Sequence, residues 1–204
     1  SQCSKLEYIN AHDAKLTELD LSQNKALKQV VVYNNSIRSL SLENCKELEL
    51  VYAWNNELSE LRLSGCSALR FLFCWTNRLQ ELDIDTCVSL EEIDCRYNRL
   101  AGLNTDHIAG ITKLEMEGNY FDVTAVNGFI PLGALPESFD ASRASSWAMG
   151  DGESCERIGG LLRVKGESAV VYQYDCGNGF SAEFYLNVGN RPLNGLDVLY
   201  LPQY

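Results

Sequence analysis

Phe71, Phe73 and Trp75 fall at alternate positions in the stretch Leu69–Leu79, where a water-soluble chain normally carries polar groups. Alternate side chains of an extended segment share one face, so these three rings would stand side by side. Twenty-one residues earlier the same positions hold Leu50, Tyr52 and Trp54, and another step back Gln29, Val31 and Tyr33. One step forward come Glu92, Asp94 and Arg96, then Lys113, Glu115 and Glu117; the first copy reads Tyr8, Asn10 and His12. Apolar groups gathered in this way do the chemistry of recognition. They bury area against a partner while a charged rim orients it. The candidate partner-binding residues are therefore Tyr33, Leu50, Tyr52, Trp54, Phe71, Phe73, Trp75 and Arg96, with Glu92, Asp94 and Lys113 completing the rim.

Covalent chemistry has less to work with. The two histidines are His12, beside Asp13, and His107, in Asp106-His107-Ile108; each reads as a solvated loop or face residue. There is no nucleophile elbow and no glycine-rich phosphate loop, and Glu91 and Glu92 point to different faces. Asp20, Asp83 and Asp85 lack the spaced D-x-D-x-D-G of a calcium loop. The chain is not expected to be an enzyme, and no metal or cofactor is expected. Of the eight cysteines, Cys45, Cys66 and Cys87 are one step apart and Cys74 and Cys95 share an inward position. They read as small buried hydrophobes, since a single-file column without CxxC offers no tetrahedral cage. Cys155 and Cys176 lie in a strand-rich tail, where a disulfide and two free thiols are both open readings.

A fixed frame must position the variable residues. Leu69, Leu72, Cys74, Asn77 and Leu79 recur as Leu27, Val30, Val32, Asn35, Ile37 and as Leu48, Val51, Ala53, Asn56, Leu58. They recur again as Leu90, Ile93, Cys95, Asn98, Leu100 and as Ile111, Leu114, Met116, Asn119, Phe121. A second apolar trio follows the asparagine position, as in Leu16, Leu19, Leu21 or Leu79, Leu82, Ile84. Each unit should thus contain two extended passes joined by polar turns, with no room for a helix of any length. A worn first copy opens the chain, with Ala14 in place of the asparagine, as terminal repeats commonly are.

The pattern L-x-x-L-x-L-x-x-N-x-L resembles the leucine-rich repeat over roughly residues 6–126. It is most similar to the short repeats of secreted or surface-exposed proteins of gut-type bacteria, which read L-D-L-S-x-C; Leu19-Asp20-Leu21-Ser22 and Leu72-Phe73-Cys74 match that form. The resemblance implies a repeat solenoid, right-handed, with one strand per repeat in a parallel sheet on the concave face and little helix. It implies a buried ladder of Asn35, Asn56, Asn77, Asn98 and Asn119, whose amides satisfy backbone groups that the stacked turns remove from water. An extracytoplasmic location, secreted or at the cell surface, goes with it, and Cys3-Ser4-Lys5 resembles the lipid-modified start of a bacterial lipoprotein.

The frame predicts a solenoid over residues 1–128, with about five to six repeats, and a β-rich capping region or small domain over 129–204. In the latter, 137–160 reads as irregular, and Leu161–Val164, Ala169–Tyr174 and Phe180–Val188 read as strands. Asp175-Cys176-Gly177-Asn178-Gly179 is a hairpin turn between the last two. A net charge of −11 argues against nucleic acid or an anionic membrane surface as partner. No apolar run reaches the ~18 residues of a membrane span. The outward aromatics would expose roughly 400–800 Å² of apolar surface, at or beyond the ~300–600 Å² of the largest patch on an ordinary monomer. A protein or peptide partner fits best because Val31 and Leu50 are aliphatic. A glycan stacked on Trp54 and Trp75, beside Asn34, Asn55, Thr76 and Tyr97, is the alternative, as is self-association through the same face.

Overall fold

The computed structural model describes residues 3–165 and 169–191. Fifteen strands, β1–β15 in chain order, form three sheets among these residues, with no α-helix and a single 3-10 turn at Leu132–Ala134. The largest repeat sheet is parallel and six-stranded: β1 (Tyr8–Asn10), β2 (Gln29–Val31), β4 (Leu50–Tyr52), β6 (Phe71–Phe73), β7 (Glu92–Asp94) and β8 (Lys113–Glu115). Register is strictly periodic, so Gln29 faces Leu50, Leu50 faces Phe71 and Phe71 faces Glu92. A parallel β-solenoid with a 21-residue repeat results.

The frame residues fill its interior. Leu27, Val30, Val32, Leu48, Val51, Ala53, Leu69, Leu72 and Cys74 are all fully buried. Behind them the asparagine column repeats one set of bonds. Asn77 accepts from the Leu58 amide at 2.9 Å and donates to the Ala53 and Cys74 carbonyls at 3.0 Å. Asn56, Asn98 and Asn119 accept likewise from Ile37, Leu79 and Leu100. Asn35 closes the worn first copy, taking the amides of both Ala14 and Leu16. The residue before each asparagine is held at positive φ: Asn34 (56°), Asn55 (52°), Thr76 (53°) and Tyr97 (54°). This left-handed turn suits asparagine but strains a β-branched threonine.

Cys45, Cys66 and Cys87 form a second buried column, and Sγ of each donates to a carbonyl of an earlier repeat: Asn24, Leu42 and Leu63 respectively. Burial pushes the Cys66 thiol up to about 12 and the Cys87 thiol up to about 11. They therefore stay protonated and act as packing atoms with a weak donor.

The second pass of each repeat departs from expectation. Only β3 (Ser39–Ser41) and β5 (Glu60–Arg62) pair as strands there. In the copies on either side, Asp20 and Asp83 accept from the backbone amides of Ser22 and Asp85 at 2.9 and 3.0 Å. That local turn competes with a strand ladder; Ser41 and Arg62, at the same place, form no such turn.

After Asn119 the chain runs directly into β9 (Tyr120–Val126), which belongs to a seven-stranded mixed sheet in the order β11-β14-β15-β9-β10-β13-β12. The others are β10 (Phe129–Pro131), β11 (Ala144–Met149), β12 (Glu156–Ile158), β13 (Leu161–Arg163), β14 (Val170–Gly177) and β15 (Phe180–Arg191). Two of them correct the reading of 137–160 as irregular. The β11 sequence is serine-rich and bulged, with Ser146 at φ 54°, so propensity alone conceals it. Asn178 and Gly179, at φ 53° and 80°, make the two-residue turn between β14 and β15, the geometry that Asn-Gly favours. Residues 192–204 of the C-terminal region lie outside the described residues.

Cys155 and Cys176 are free, which removes the disulfide reading. The Cys155 amide bonds the Trp147 carbonyl, opposite the first half of β14, while Cys176 lies near its end. At ~3.4 Å per residue that places them on the order of 14 Å apart, well beyond the ~7 Å a disulfide spans.

The C-terminal sheet shares one continuous core with the repeats. It docks on the segment after the frame position Leu100. The Tyr172 hydroxyl donates to the Ala101 carbonyl at 2.5 Å, and Thr105 donates to the Cys176 carbonyl through both Oγ1 and its amide. Gly102 is pressed against the Tyr174 ring, where a Cβ would lie 2.6 Å from Cζ.

Candidate concave binding face

Frame burial turns the alternate residues of β2, β4 and β6 outward. Val31, Tyr33, Leu50, Tyr52, Trp54, Phe71, Phe73 and Trp75 are half-buried, each packed on its neighbours and open to solvent on the concave side. Among the described residues, the hydrogen bonds and ion pairs between the C-terminal sheet and the repeats fall on the last copies, at Asn98, Ala101, Thr105, Asp106, Ile108 and Asn119, and none involves an outward residue of β2, β4 or β6.

The rings are ordered by the strand spacing. Tyr33 stacks on Trp54 with centroids 4.3 Å apart and planes 7° from parallel, and Trp54 stacks on Trp75 at 5.7 Å and 6°. His12 extends the stack on the other side, 4.6 Å from Tyr33 and 9° from parallel. These centroid distances bracket the ~4.8 Å between neighbouring strands, so flat side chains in one column lie face to face. Beside this stack, Phe73 meets Tyr52 edge-on at 5.2 Å and 77°. The stack therefore offers ring edges outward and spends its ring faces internally.

His12 belongs to this face, although neither its type nor its worn repeat marks it. The signal available was its column, four positions of one 21-residue register. Its Nδ1 bonds Asp13 at 2.6 Å. The hydrogen bonds of His12 and Asn34 to Asp13 hold that carboxyl below the usual carboxylate range. Asp13, Asn34 and Asn55 make an exposed polar ladder, Asn34 donating to Asp13 at 3.0 Å and Asn55 to Asn34 at 2.8 Å.

Charge enters in the next two strands. Arg96 grips Asp94 through Nε at 3.0 Å and through a second guanidinium nitrogen at 2.7 Å, and Asp94 is only 5% exposed. This hydrogen-bonded carboxylate pushes the Arg96 guanidinium still further above its ordinary range. Asp94 is thus a buried seat for Arg96 instead of the exposed rim residue its position suggests, because the guanidinium folds back over it. Arg70 lies 5.0 Å over the Phe71 ring and is held by Glu91 in a two-pronged pair at 2.8 and 2.9 Å. Lys113 pairs with Glu115 at 3.4 Å. Among the described residues no cation reaches Glu92, which stands beside Phe71 in the register. No cluster of three or more metal-ligating side chains occurs among them either.

No protein-family profile matches the chain, and no curated protein matches it. Among solved structures, it is similar to the functional domain of InlJ from Listeria monocytogenes, which includes a cysteine ladder, with a TM-score of 0.49, 17% identity, and 86% of this chain against 60% of that one covered. It is similar also to InlP of the same organism, with a TM-score of 0.49, 15% identity, and 83% of this chain against 55% of that one covered. The chain thus spans little more than half the length of either.

Proposed function

We propose that the protein is a non-catalytic interaction module that binds a protein or peptide through its concave face, at a bacterial cell surface or after secretion. The observation that carries this reading is the set Tyr33, Leu50, Tyr52, Trp54, Phe71, Phe73 and Trp75, held toward solvent while the chain's own C-terminal sheet packs elsewhere. Aromatic anchors in a continuous apolar patch are the usual source of binding energy in protein interfaces, and Arg96 stands at the patch edge. The C-terminal sheet, in this reading, serves to cover the last repeats and hold the solenoid's end. No helix among the described residues is long and apolar enough to cross a membrane.

The stack favours a protein over a glycan. A sugar ring packs on the free face of an aromatic side chain, and Trp54 has Tyr33 on one face and Trp75 on the other. Ring edges and intervening aliphatic groups suit side chains of a polypeptide. Replacing Trp54 and Trp75 together by alanine should abolish capture of surface proteins in a pull-down while the variant remains folded by circular dichroism. Undiminished capture would remove the concave face from consideration, and binding confined to a glycan array would transfer it to the alternative.

A further inference from the structure

The face has a polarity that narrows its occupant; this rests on the protein-binding reading above. In β2, β4 and β6 and the residues that follow them, the outward positions carry no charge: Gln29, Val31, Tyr33; Leu50, Tyr52, Trp54; Phe71, Phe73, Trp75. In the two following repeats the same positions carry four carboxylates and two cations. Both cations are committed, Arg96 to Asp94 and Lys113 to Glu115, and the nearby Arg70 is committed to Glu91. Among the described residues Glu92 has no cation within 4 Å, its register neighbour Lys113 turning to Glu115, and Glu117 has the far nitrogen of Arg96 at 3.8 Å. A carboxylate bordering an apolar surface, in a chain of net charge −11, attracts a cation over long range and repels an acidic partner.

We infer that this face takes a protein segment of polyproline-II form, pairing an aromatic or aliphatic side chain with a lysine or arginine about three residues further on, so that both project from one side. Leu50 and Glu92 are two strands apart in the register, with Phe71 between them. That is ~10 Å at the inter-strand spacing, and a polyproline-II chain, which rises ~3.1 Å per residue and returns to one side about every third residue, covers it in roughly three residues. The apolar side chain lies over Leu50, Tyr52 and Phe71, and the cation meets Glu92, with Glu117 strengthening the field at that end.

The test pans a phage-displayed library of random peptides on three immobilised proteins: wild type, Glu92→Lys, and the Trp54→Ala/Trp75→Ala variant. Enriched peptides are then synthesised and titrated at low and high salt. The expected result is selection of an apolar residue followed by lysine or arginine. Glu92→Lys should weaken binding by about tenfold or more, Glu92→Gln by a few-fold, and affinity should fall with salt. Peptides that are neutral or acidic, or that bind Glu92→Lys unchanged while losing the tryptophan variant, overturn this inference and leave the concave face standing. Peptides indifferent to the tryptophan replacements overturn the concave-face reading itself. A library that yields nothing counts against both.

Discussion

The rings of the concave face and those of the C-terminal sheet are similar in kind and differ in what covers them. Trp147 stacks on Tyr172 at 4.4 Å, and Phe139, Tyr174 and Phe184 close around the pair. Tyr172, Tyr174 and Phe184 have no exposure at all, because the sheet presses them on the last repeats and on each other. Tyr33, Trp54 and Trp75 stack just as regularly, yet their edges stay in water. Stacking across strands accounts for order in both clusters. It accounts for concealment in neither, since concealment needs a second layer, and only the C-terminal cluster has one among the described residues. Where the chain does hide aromatic area it supplies hydroxyl donors and a bare Gly102 to fit the contact; the described residues supply no such complement on the concave side.

The sharpest way to break this comparison is to delete one ring from each cluster. Tyr172→Ala should cost about 3–5 kcal/mol, as truncation of a sealed aromatic does, and should lower the urea midpoint accordingly. Trp75→Ala gives up a single stack and should cost only ~0.5–1.5 kcal/mol beyond its modest burial. Equal losses in the two variants would mean the concave rings are structural.

Between these extremes lies the frame. Asn77→Ala leaves the Leu58 amide unpaired in the interior, while the Ala53 and Cys74 carbonyls keep Asn56 and Asn98 as donors; the loss should be about 1–3 kcal/mol by denaturant unfolding. An unmoved midpoint would show that water or the backbone can replace the amide.

Thr76→Asn should stabilise slightly, by up to about 1 kcal/mol, since asparagine tolerates φ near 53° better than a β-branched residue does. It also places an amide where the exposed ladder of Asn34 and Asn55 would gain a rung. A lowered melting temperature would count against strain at that turn.

The smallest effect concerns acid. The hydrogen bond and charge of Arg143 hold Asp106 below its ordinary range. A carboxyl whose folded pKa is depressed contributes fully above its unfolded pKa and loses that contribution as pH falls through the folded one. Asp106→Asn should therefore lower the melting temperature slightly at neutral pH and flatten its fall below about pH 4, where the two proteins converge. A parallel acid limb in the variant would assign the fall to other carboxyls, among them Glu91, likewise lowered by Arg70.

Particular residues show where legibility ended. The local turns at Asp20 and Asp83 depend on a carboxylate two residues before an amide, a short-range signal present in the sequence but outweighed by the surrounding L-x-L pattern. The strand at Ala144–Met149 had no such signal, for its pairing partner lies more than twenty residues away and its own composition reads as loop. Asp94 stood in an outward column, yet Arg96 two residues on folds over it. The spacing of side chains cannot state which of two neighbouring charges ends on top.

A period of 21 residues determined the interior by itself. Once the apolar frame and its asparagines must stack, burial fixes the register, and every remaining position of each strand is forced outward. What lies over those outward positions is a different matter. Packing of the C-terminal sheet on Ala101–Ile108 joins segments some seventy residues apart, and long-range contact of that kind follows from shape and area in three dimensions. The repeat therefore wrote the concave face into the chain, and only the tertiary structure decided that, among the described residues, the C-terminal sheet packs elsewhere.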